Sequence, residues 1–307
     1  MAEKIIITGV NGFVGEHAVD AFKADGFDVI GLAHDPTPAD KVAGKLNGYI
    51  TCDLLDTAMV DTVDLTDVRA ILHLAGLSAV GQSFEQPQRY ISENAVMTYN
   101  LLSHAMSESL EGRVIVVSTG ALYDPQQPLP IAEESHVSAT SPYAIGKLAT
   151  EHVVSYFRNR GLDTITVRPF NHIGPGQGGG FLLPDLCTQL SGIVSGGEIM
   201  VGNIDTKRDY TDVRDVAAAY KALALAESLE HEVYNVCSGR SLSGRDILSL
   251  LEKAMGLSGV QAVVDQSKVR PTDVMDIYGD ASRIYSELGW KPQVGIEETI
   301  RDFVHNQ

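Results

Sequence analysis

The chain has 307 residues, 44% of them hydrophobic, which is enough to bury a large core. Its formal charge of −17 disfavours nucleic acid or an anionic membrane as the main partner. No apolar signal region opens the sequence, and no run approaches the roughly 18 apolar residues of a membrane span, so we expect a cytoplasmic protein. Cys52, Cys187 and Cys237 are too scattered for a disulfide framework or a metal site, and we expect no metal.

The first elements of the chain predict a βαβ unit. The pattern gives a short apolar strand from Lys4 to Thr8, a glycine turn from Gly9 to Gly15, a helix from Glu16 to Ala24 and a second strand from Phe27 to Leu32. A helix that connects two strands in this way is typical of a parallel sheet.

Strand-like runs then alternate with helical segments. Further strands are predicted at Tyr49 to Cys52, Ala70 to Ala75, Val114 to Ser118 and Thr164 to Arg168, and helices at Tyr90 to Met106 and Tyr143 to Arg160. This alternation predicts an α/β fold, a Rossmann-type doubly wound parallel sheet.

The alternation of strands and helices stops at Asn171. A glycine-rich run at 174–180 follows, and then a predicted helix near Leu183 to Val194. A helical segment from Arg214 to Ser228 and a strand-like run from Val233 to Cys237 suggest a return to the first domain. We therefore predict an NAD(P)-binding domain of residues 1–170 with a return near 210–237, and a smaller C-terminal substrate-binding lobe of 171–209 and 238–307.

The glycine turn predicts a dinucleotide site. Gly9, Gly12 and Gly15 follow a strand and precede a helix, the context in which glycines let a pyrophosphate approach the helix N-terminus. We expect the cofactor to contact this turn and the end of the strand from Ala70. The predicted residues are Gly9, Asn11, Gly12, Phe13, Val14, Gly15, Leu74, Ala75 and Gly76.

The end of the second predicted strand bears on the choice of cofactor. NAD sites usually place Asp or Glu there, whereas this chain has Ala33 and His34, and Asp35 comes slightly late. Without that carboxylate, a 2′-phosphate is not repelled and His34 could donate to it, so NADP(H) is predicted, with NAD(H) possible. Asp53, followed by Leu54, is predicted to lie at the adenine edge.

Tyr143 and Lys147 form the strongest catalytic pattern. Ser141 and Pro142 before them are typical of a helix start, so the two side chains share one helix face. An ammonium close to a phenol stabilises the phenolate, so we expect a lowered Tyr143 pKa. Such a tyrosine can exchange a proton with an alcohol or a carbonyl.

The glycine turn, Ser118-Thr119 four residues before Tyr123, and Tyr143-x-x-x-Lys147 together resemble the extended short-chain dehydrogenase/reductase family. The stretches at 168–177, 208–216 and 269–274 are similar to its nucleotide-sugar epimerase/dehydratase branch, which handles GDP-mannose derivatives. The resemblance implies that Thr119 hydrogen-bonds the C4 oxygen of the sugar and that Lys147 also holds the nicotinamide ribose.

The same resemblance implies a structural role for Asn94. It also implies a homodimer whose interface is formed by the helices from Tyr90 to Met106 and from Tyr143 to Arg160.

Substrate residues are predicted mainly beyond the strand that ends near Arg168. The Asn171 amide can donate to a diphosphate oxygen, and the forked guanidinium groups of Arg208 and Arg270 suit phosphates. Asp273 stands where the resembling proteins typically carry Glu for ribose hydroxyls. Ser78 is also predicted to contact the substrate.

The resemblance implies NAD(P)H-dependent reduction of the C4 keto group of a GDP-4-keto-6-deoxyhexose. Related dehydratases carry an acid two residues beyond the Ser/Thr to take the C5 proton, and this chain has Ala121 there. Two alternatives stay open, an NAD-dependent nucleotide-sugar 4-epimerase and a non-catalytic NAD(P)-binding sensor.

Overall fold

The computed structural model describes residues 3–194, 196–269 and 274–306. Its strands are β1 (Lys4–Thr8), β2 (Asp28–Ala33), β3 (Gly48–Thr51), β4 (Val68–His73), β5 (Arg113–Val117), β6 (Thr164–Pro169), β7 (Asn171–Ile173), β8 (Gly197–Val201), β9 (Lys207–Asp212), β10 (Val233–Val236), β11 (Ser241–Ser243), β12 (Val260–Val264) and β13 (Asp276–Ile277).

The helices are α1 (Phe13–Ala24), α2 (Asp40–Ala43), α3 (Thr57–Val60), α4 (Val80–Glu85), α5 (Pro87–Ser107), α6 (Pro142–Arg158), α7 (Leu182–Leu190), α8 (Val213–Leu225), α9 (Gly244–Met255), α10 (Ser282–Leu288) and α11 (Ile296–His305). The two short 3-10 helices are Gly120–Leu122 and Gln266–Lys268.

A seven-stranded sheet in the order β10-β6-β5-β4-β1-β2-β3 forms the centre of the protein. Each neighbouring pair in it is parallel. The predicted doubly wound parallel sheet is thus confirmed. From β1 the chain adds β2 and β3 on one side, and then crosses to β4 and adds β5, β6 and β10 on the other side. Ligands of such sheets bind at the carboxyl ends of the strands where the direction changes, here β1 and β4.

Alternating side chains of the central strands supply two apolar cores. Ile5 and Ile7 of β1 belong to one core with Phe22 of α1, whereas Ile6 packs on the opposite face with Leu101 of α5. This division follows from the period of two residues in a strand. The near-continuous apolar sequence of β1 is therefore a consequence of burial on both faces.

The remaining strands form smaller sheets. β9 pairs with β7, β11 and β13, and β8 pairs with β12. A third apolar core packs around them, with contributions from α7, α9 and α11. This arrangement provides a second body of structure beyond β6, where the sequence predicted a substrate-binding lobe.

The predicted division of the chain needs one change in detail. β10 adds to the edge of the central sheet beside β6, in the segment predicted to return. Ile284 of α10 and the following Trp290 also pack into the core that contains Ile5, although residues 238–307 were assigned to the lobe. Sequence alone did not indicate this second return because α10 has only seven residues.

Within the three described ranges, no helix combines the length and apolar character needed to cross a membrane. The cytoplasmic location stays a prediction.

The contact between α5 and α6 depends on a glycine. A Cβ at Gly146 would overlap the carbonyl oxygen of Tyr90, so the two helix backbones approach closely at this point. We expect Gly146→Ala to lower the free energy of unfolding by about 1–3 kcal/mol, the usual cost of overpacking. Chemical denaturation measures this change. Gly81→Ala is the control, because a Cβ at Gly81 meets no atom within 4 Å. Equal stability of the two variants would contradict the close approach.

Candidate active site

The glycine turn between β1 and α1 has the close backbone packing that a dinucleotide pyrophosphate requires. Gly9 has a φ of +66°, and a Cβ there would meet the backbone nitrogen of Ala75 at 2.8 Å. A Cβ at Gly15 would overlap the carbonyl of Val10. Gly12 is the N-cap of α1 and offers no side chain to the first-turn N–H groups. The turn therefore fits an anionic group at a helix N-terminus.

A carboxylate lies beside this turn. Asn11 Nδ2 donates to Asp35 Oδ2 at 2.8 Å, and the Tyr49 hydroxyl donates to the Asp35 carbonyl at 2.8 Å. The predicted His34 has a side chain that is 79% exposed, with Nε2 at 3.8 Å from Asp35 Oδ1. Asp35 comes slightly late in the sequence, and the chain after β2 turns back and brings it to Asn11.

The end of β4 is tied to the glycine turn through buried polar side chains. Thr8 Oγ1 accepts from the Ala75 amide at 3.1 Å and lies 2.8 Å from His73 Nδ1. His73 Nε2 lies 3.0 Å from Thr98 Oγ1. Burial, reinforced by the Lys147 charge, lowers the pKa of His73 to about 3, so the imidazole is neutral. His73 is thus a buried hydrogen-bonding link between β1 and α5.

Asn94 fixes the loop after β4. Its Oδ1 accepts from the Leu77 amide at 2.7 Å, and its Nδ2 donates to the Leu77 carbonyl at 3.1 Å. A Cβ at Gly76 would lie 3.0 Å from Asn94 Oδ1 and 3.6 Å from Lys147 Nζ. This loop, which includes the predicted Leu74, Ala75 and Gly76, therefore lies between the glycine turn and Lys147.

Asp53 and Leu54 follow β3 at the same edge of the sheet. Asp53 is exposed and its Oδ1 accepts from the Leu55 amide at 2.9 Å, while the carbonyl of the buried Leu54 accepts from Asn100 at 2.8 Å. Val14 packs against the first core, and Phe13 begins α1. Contact of these residues with a cofactor stays a prediction.

α6 begins as the sequence predicted. Ser141 Oγ accepts from the Ala144 amide at 3.1 Å, and Pro142 is the first helical residue. Tyr143 and Lys147 follow one turn apart, and both side chains are buried. The cap and the proline are local features, which is why the sequence located this helix start correctly.

Thr119, Tyr143 and Lys147 converge at the end of β5. Thr119 lies close enough to Tyr143 to lower the pKa of its hydroxyl. Lys147 Nζ donates to the Val117 carbonyl at 2.7 Å. The structure thus brings the three predicted catalytic side chains to the carboxyl end of one central strand.

Burial shifts the pKa values of this group in opposite directions. It raises the pKa of Tyr143, an effect that the hydrogen bond from Thr119 opposes and the nearby Tyr90 reinforces. It lowers the pKa of Lys147 to about 8, against the stabilising charge of Glu151. The expectation of a lowered Tyr143 pKa is therefore wrong for the protein itself, because removal from water outweighs the favourable neighbours.

A buried polar network that the sequence analysis missed lies behind these residues. Glu151 accepts two hydrogen bonds from Arg168, at 2.9 and 2.7 Å, and one from Ser118 Oγ at 2.6 Å. Arg168 also donates to the Tyr123 hydroxyl at 3.0 Å, which in turn donates to Asn235 at 2.8 Å. The sequence does show Glu151 four residues after Lys147, on the same helix face. Its partners Ser118 and Arg168 come from β-strand regions distant in sequence, so the network could not be predicted.

The predicted substrate residues divide into three groups. Asn171 is exposed on β7, opposite Tyr210 of β9, and Arg208 lies two residues before Tyr210. The Arg208 guanidinium donates to the Val274 carbonyl at 2.6 Å. Ser78 is exposed in the loop after β4. Arg270 and Asp273 lie outside the described residues.

The loop after β7 contacts the helix of the glycine turn. His17 Nε2 lies 2.9 Å from the Pro175 carbonyl oxygen. The rings of Phe13 and His172 stack with centroids 6.0 Å apart, and burial lowers the pKa of His172. These contacts place the chain that follows Asn171 directly against α1.

The cysteines and the acidic clusters lie apart from this chemistry. Cys52, Cys187 and Cys237 are buried free thiols. In the described part of the chain, the group of side chains close enough to share a cation consists of Glu230, His231 and Glu287. It does not include any of the predicted catalytic residues.

A sheet with a glycine turn at β1, and with Thr, Tyr and Lys at the end of β5, defines an NAD(P)-dependent enzyme of the extended short-chain dehydrogenase/reductase class. The family model described as GDP-mannose 4,6 dehydratase matches residues 6–303, and the chain belongs to this family. The family resemblance found in the sequence is thereby confirmed.

Relatives within this class have several activities. The chain is 32% identical to GDP-6-deoxy-D-mannose reductase of Pseudomonas aeruginosa, over 98% of this chain and 96% of that protein. The structure of RMD from Pseudomonas aeruginosa complexed with NADPH is similar, with a TM-score of 0.83, 29% identity and coverage of 99% and 98%. The structure of UDP-glucose 4-epimerase from Thermotoga maritima with UDP-glucose is similar as well, with a TM-score of 0.87 and 27% identity. The match covers 99% of this chain and 98% of that chain.

The Glu151–Arg168 pair generates a prediction about stability. Glu151→Ala leaves the Arg168 guanidinium buried without its carboxylate, so we expect a loss of about 3–5 kcal/mol in the free energy of unfolding. Urea denaturation measures it. Asp205→Ala removes the partner of Arg245 from an ion pair whose side chains are both more than half exposed, and should change stability little. Similar losses in both variants would show that the buried ion pair contributes no more to the free energy of unfolding than an exposed one.

Proposed function

We propose that the protein reduces the C4 keto group of a GDP-4-keto-6-deoxyhexose with a reduced nicotinamide dinucleotide. The main support is the joint burial of Thr119, Tyr143 and Lys147 at the end of β5, beside the loop that joins them to the glycine turn. The relative named GDP-6-deoxy-D-mannose reductase supports the choice of sugar.

The residues present fit such a cofactor. Gly9 and Gly15 allow the close backbone packing of the turn, and Gly12 leaves the N-terminus of α1 without a capping side chain, where a pyrophosphate fits. A Cβ at Gly76 would lie 3.6 Å from Lys147 Nζ. When bound, the cofactor supplies the hydride. By the family resemblance, Lys147 would hold the nicotinamide ribose, and Thr119 and Tyr143 would contact the sugar oxygen.

Tyr143 can supply the proton that reduction requires. Burial raises the pKa of its hydroxyl, so the phenol retains its proton near neutral pH. Reduction of a ketone needs a proton donor for the developing alkoxide, and Tyr143 is that donor in the proposed reaction. The Thr119 hydroxyl orients the carbonyl and, through its hydrogen bond, stabilises the negative charge that Tyr143 gains.

The position of Ala121 argues against dehydration. It lies in the 3-10 helix that starts directly after Thr119, and its backbone amide donates to Thr119 Oγ1 at 3.1 Å. Its methyl group has no proton to exchange with a sugar. The family name includes a dehydratase, but the side chain at this position supports hydride chemistry at C4 alone.

The proposed activity is tested by reduced-nicotinamide consumption with freshly generated GDP-4-keto-6-deoxy-D-mannose. We expect turnover by the wild-type protein and a loss of at least about 100-fold in kcat for Tyr143→Phe, because the proton donor is gone. Tyr156→Phe, at an exposed position on α6, is the control and should retain activity. Full activity of Tyr143→Phe would contradict the assigned acid.

A nucleotide-sugar 4-epimerase is the second candidate, because several relatives are UDP-glucose 4-epimerases. It would use the same three side chains, with Tyr143 first accepting the proton of the C4 hydroxyl and later returning it. NAD retained after purification, together with interconversion of 4-epimeric nucleotide sugars, would favour this function. The enzymatic relatives support catalysis over a non-catalytic sensor.

Association into a homodimer is also proposed. α5 and α6 pack on each other and still expose large apolar side chains to solvent. These are Ile91, Val96, Tyr99, Ile145 and Tyr156. A second copy of the same two helices would cover this surface in a two-fold arrangement, as the family resemblance implies.

The dimer proposal is tested by analytical ultracentrifugation. Val96→Glu places a charge among these apolar side chains, so we expect the dimer to dissociate at micromolar concentration. Val194→Glu adds the same charge at a residue that is 94% exposed and lies outside α5 and α6, so it should leave association unchanged. A wild-type monomer, or a Val96→Glu dimer as stable as the control, would refute this interface.

A further inference from the structure

Three potential metal ligands meet beside the amino end of β10. Glu230 and His231 lie in the segment between α8 and β10, and Glu287 lies in α10, 57 residues beyond Glu230. One ligand atom from each side chain lies within 4.8 Å of the other two. Glu230 and His231 are exposed, so both are accessible to an ion in the solvent. The sequence alone predicted no metal, because it does not show that these two segments meet.

The separation of the ligand atoms fits a small tetrahedral ion. His231 Nε2 and Glu287 Oε1 are 3.5 Å apart. Neighbouring ligand atoms of a tetrahedral zinc site are about 3.4 Å apart, because the Zn–N and Zn–O distances are about 2.1 Å. The two atoms are therefore spaced as two ligands of one zinc ion, and a carboxylate oxygen of Glu230 is close enough to be the third.

The two oxygens of the Glu287 carboxylate have different surroundings. Oε2 accepts hydrogen bonds from the Tyr234 hydroxyl at 2.7 Å and from the Glu230 amide at 3.1 Å. Oε1 is buried and has no hydrogen-bond partner within the described ranges, and the whole side chain is only 13% exposed. Buried charges in proteins are either paired or coordinate metals. The Oε1 atom therefore points to a cation as its partner.

Basic side chains do not supply that cation. In the described part of the chain, neither Glu230 nor Glu287 forms an ion pair with Lys or Arg. Arg283, which lies in the same helix as Glu287, pairs instead with Glu133 and Glu134. Carboxylates within 4.8 Å of each other repel, and a doubly charged cation between them removes this repulsion.

Tyr234 holds two of the ligand residues in place. Its hydroxyl accepts from the His231 amide at 3.2 Å while it donates to Glu287. The His231 and Tyr234 rings are in edge contact, with centroids 6.3 Å apart. Tyr234 itself is fully buried in the first apolar core of the central sheet. Metal sites depend on such partners, which orient the ligands, and here the fold provides one.

We propose that Glu230, His231 and Glu287 bind one Zn²⁺ ion, with water as the fourth ligand. The ion connects α10 to the segment before β10, so its role is structural. The site lies at the amino end of β10, whereas the predicted catalytic residues lie at the carboxyl end of β5 in the same parallel sheet. The proposal therefore does not rest on the proposed function.

The test is isothermal titration calorimetry with Zn²⁺ on the tag-free chain, after removal of bound metal by a chelator and dialysis. We expect one Zn²⁺ per chain in the wild type and loss of this binding in His231→Ala. Tyr234→Phe should weaken binding by about 10–100-fold, because the hydrogen bond that orients Glu287 is removed. Zn²⁺ should also raise the Tm of the wild type and leave that of His231→Ala unchanged.

His305→Ala is the matched control, since it removes an exposed imidazole outside this group and should bind Zn²⁺ as the wild type does. Thermal unfolding without Zn²⁺ checks that each variant is folded. A wild type that does not bind Zn²⁺ would overturn the proposal, and so would unchanged binding in folded His231→Ala.

Mg²⁺ is the second probe, because it prefers oxygen ligands in octahedral geometry. We expect an equal concentration of Mg²⁺ to leave the titration with Zn²⁺ unchanged. Displacement of Zn²⁺ under these conditions would overturn the assignment of the site to zinc.

Discussion

The candidate active site depends on the buried ion pair between Glu151 and Arg168. Two buried charges are costly to remove from water, and the cost is offset only when the geometry is good and the remaining polar atoms are satisfied. Here the pair is bidentate, Ser118 donates to the same carboxylate, and the Tyr123 hydroxyl accepts from Arg168. The ion pair connects Glu151 of α6 to Arg168 of β6, and the hydrogen bond from Ser118 connects the end of β5 to the same carboxylate.

Thr119 follows Ser118, and Lys147 precedes Glu151 by one helical turn. Fixing Ser118 to Glu151 therefore fixes the strand end that carries the hydroxyl against the helix face that carries Tyr143 and Lys147. A network of this kind holds the proposed catalytic residues in a single arrangement, and catalysis depends on such positioning. The same carboxylate also helps Lys147 remain charged in a site where burial opposes the charge.

Local patterns made the fold predictable, and tertiary contacts limited the prediction of the site. The glycine turn, the central strands and the Ser141-Pro142 helix start are encoded by neighbouring residues, and the structure has them close to the predicted bounds. The sign of the Tyr143 pKa shift was missed because it depends on burial by elements far along the chain. The contact between Asp35 and Asn11 was not predicted for the same kind of reason, because it arises from the path of the chain after β2.

The path of the last residues has a consequence for folding during synthesis. Trp290 Nε1 donates to the Asp215 carbonyl at 3.1 Å, and the Asp215 carboxylate accepts from the amides of Gln293 and Val294 at 3.0 and 2.9 Å. Ile284 and Trp290 then complete the apolar core that β1 begins. During synthesis, Ile5 of this core leaves the ribosome early, and Ile284 and Trp290 leave it only after about 280 further residues. The nucleotide-binding sheet therefore cannot reach its final packing until nearly the whole chain has emerged, because the C-terminal segment covers part of its apolar face.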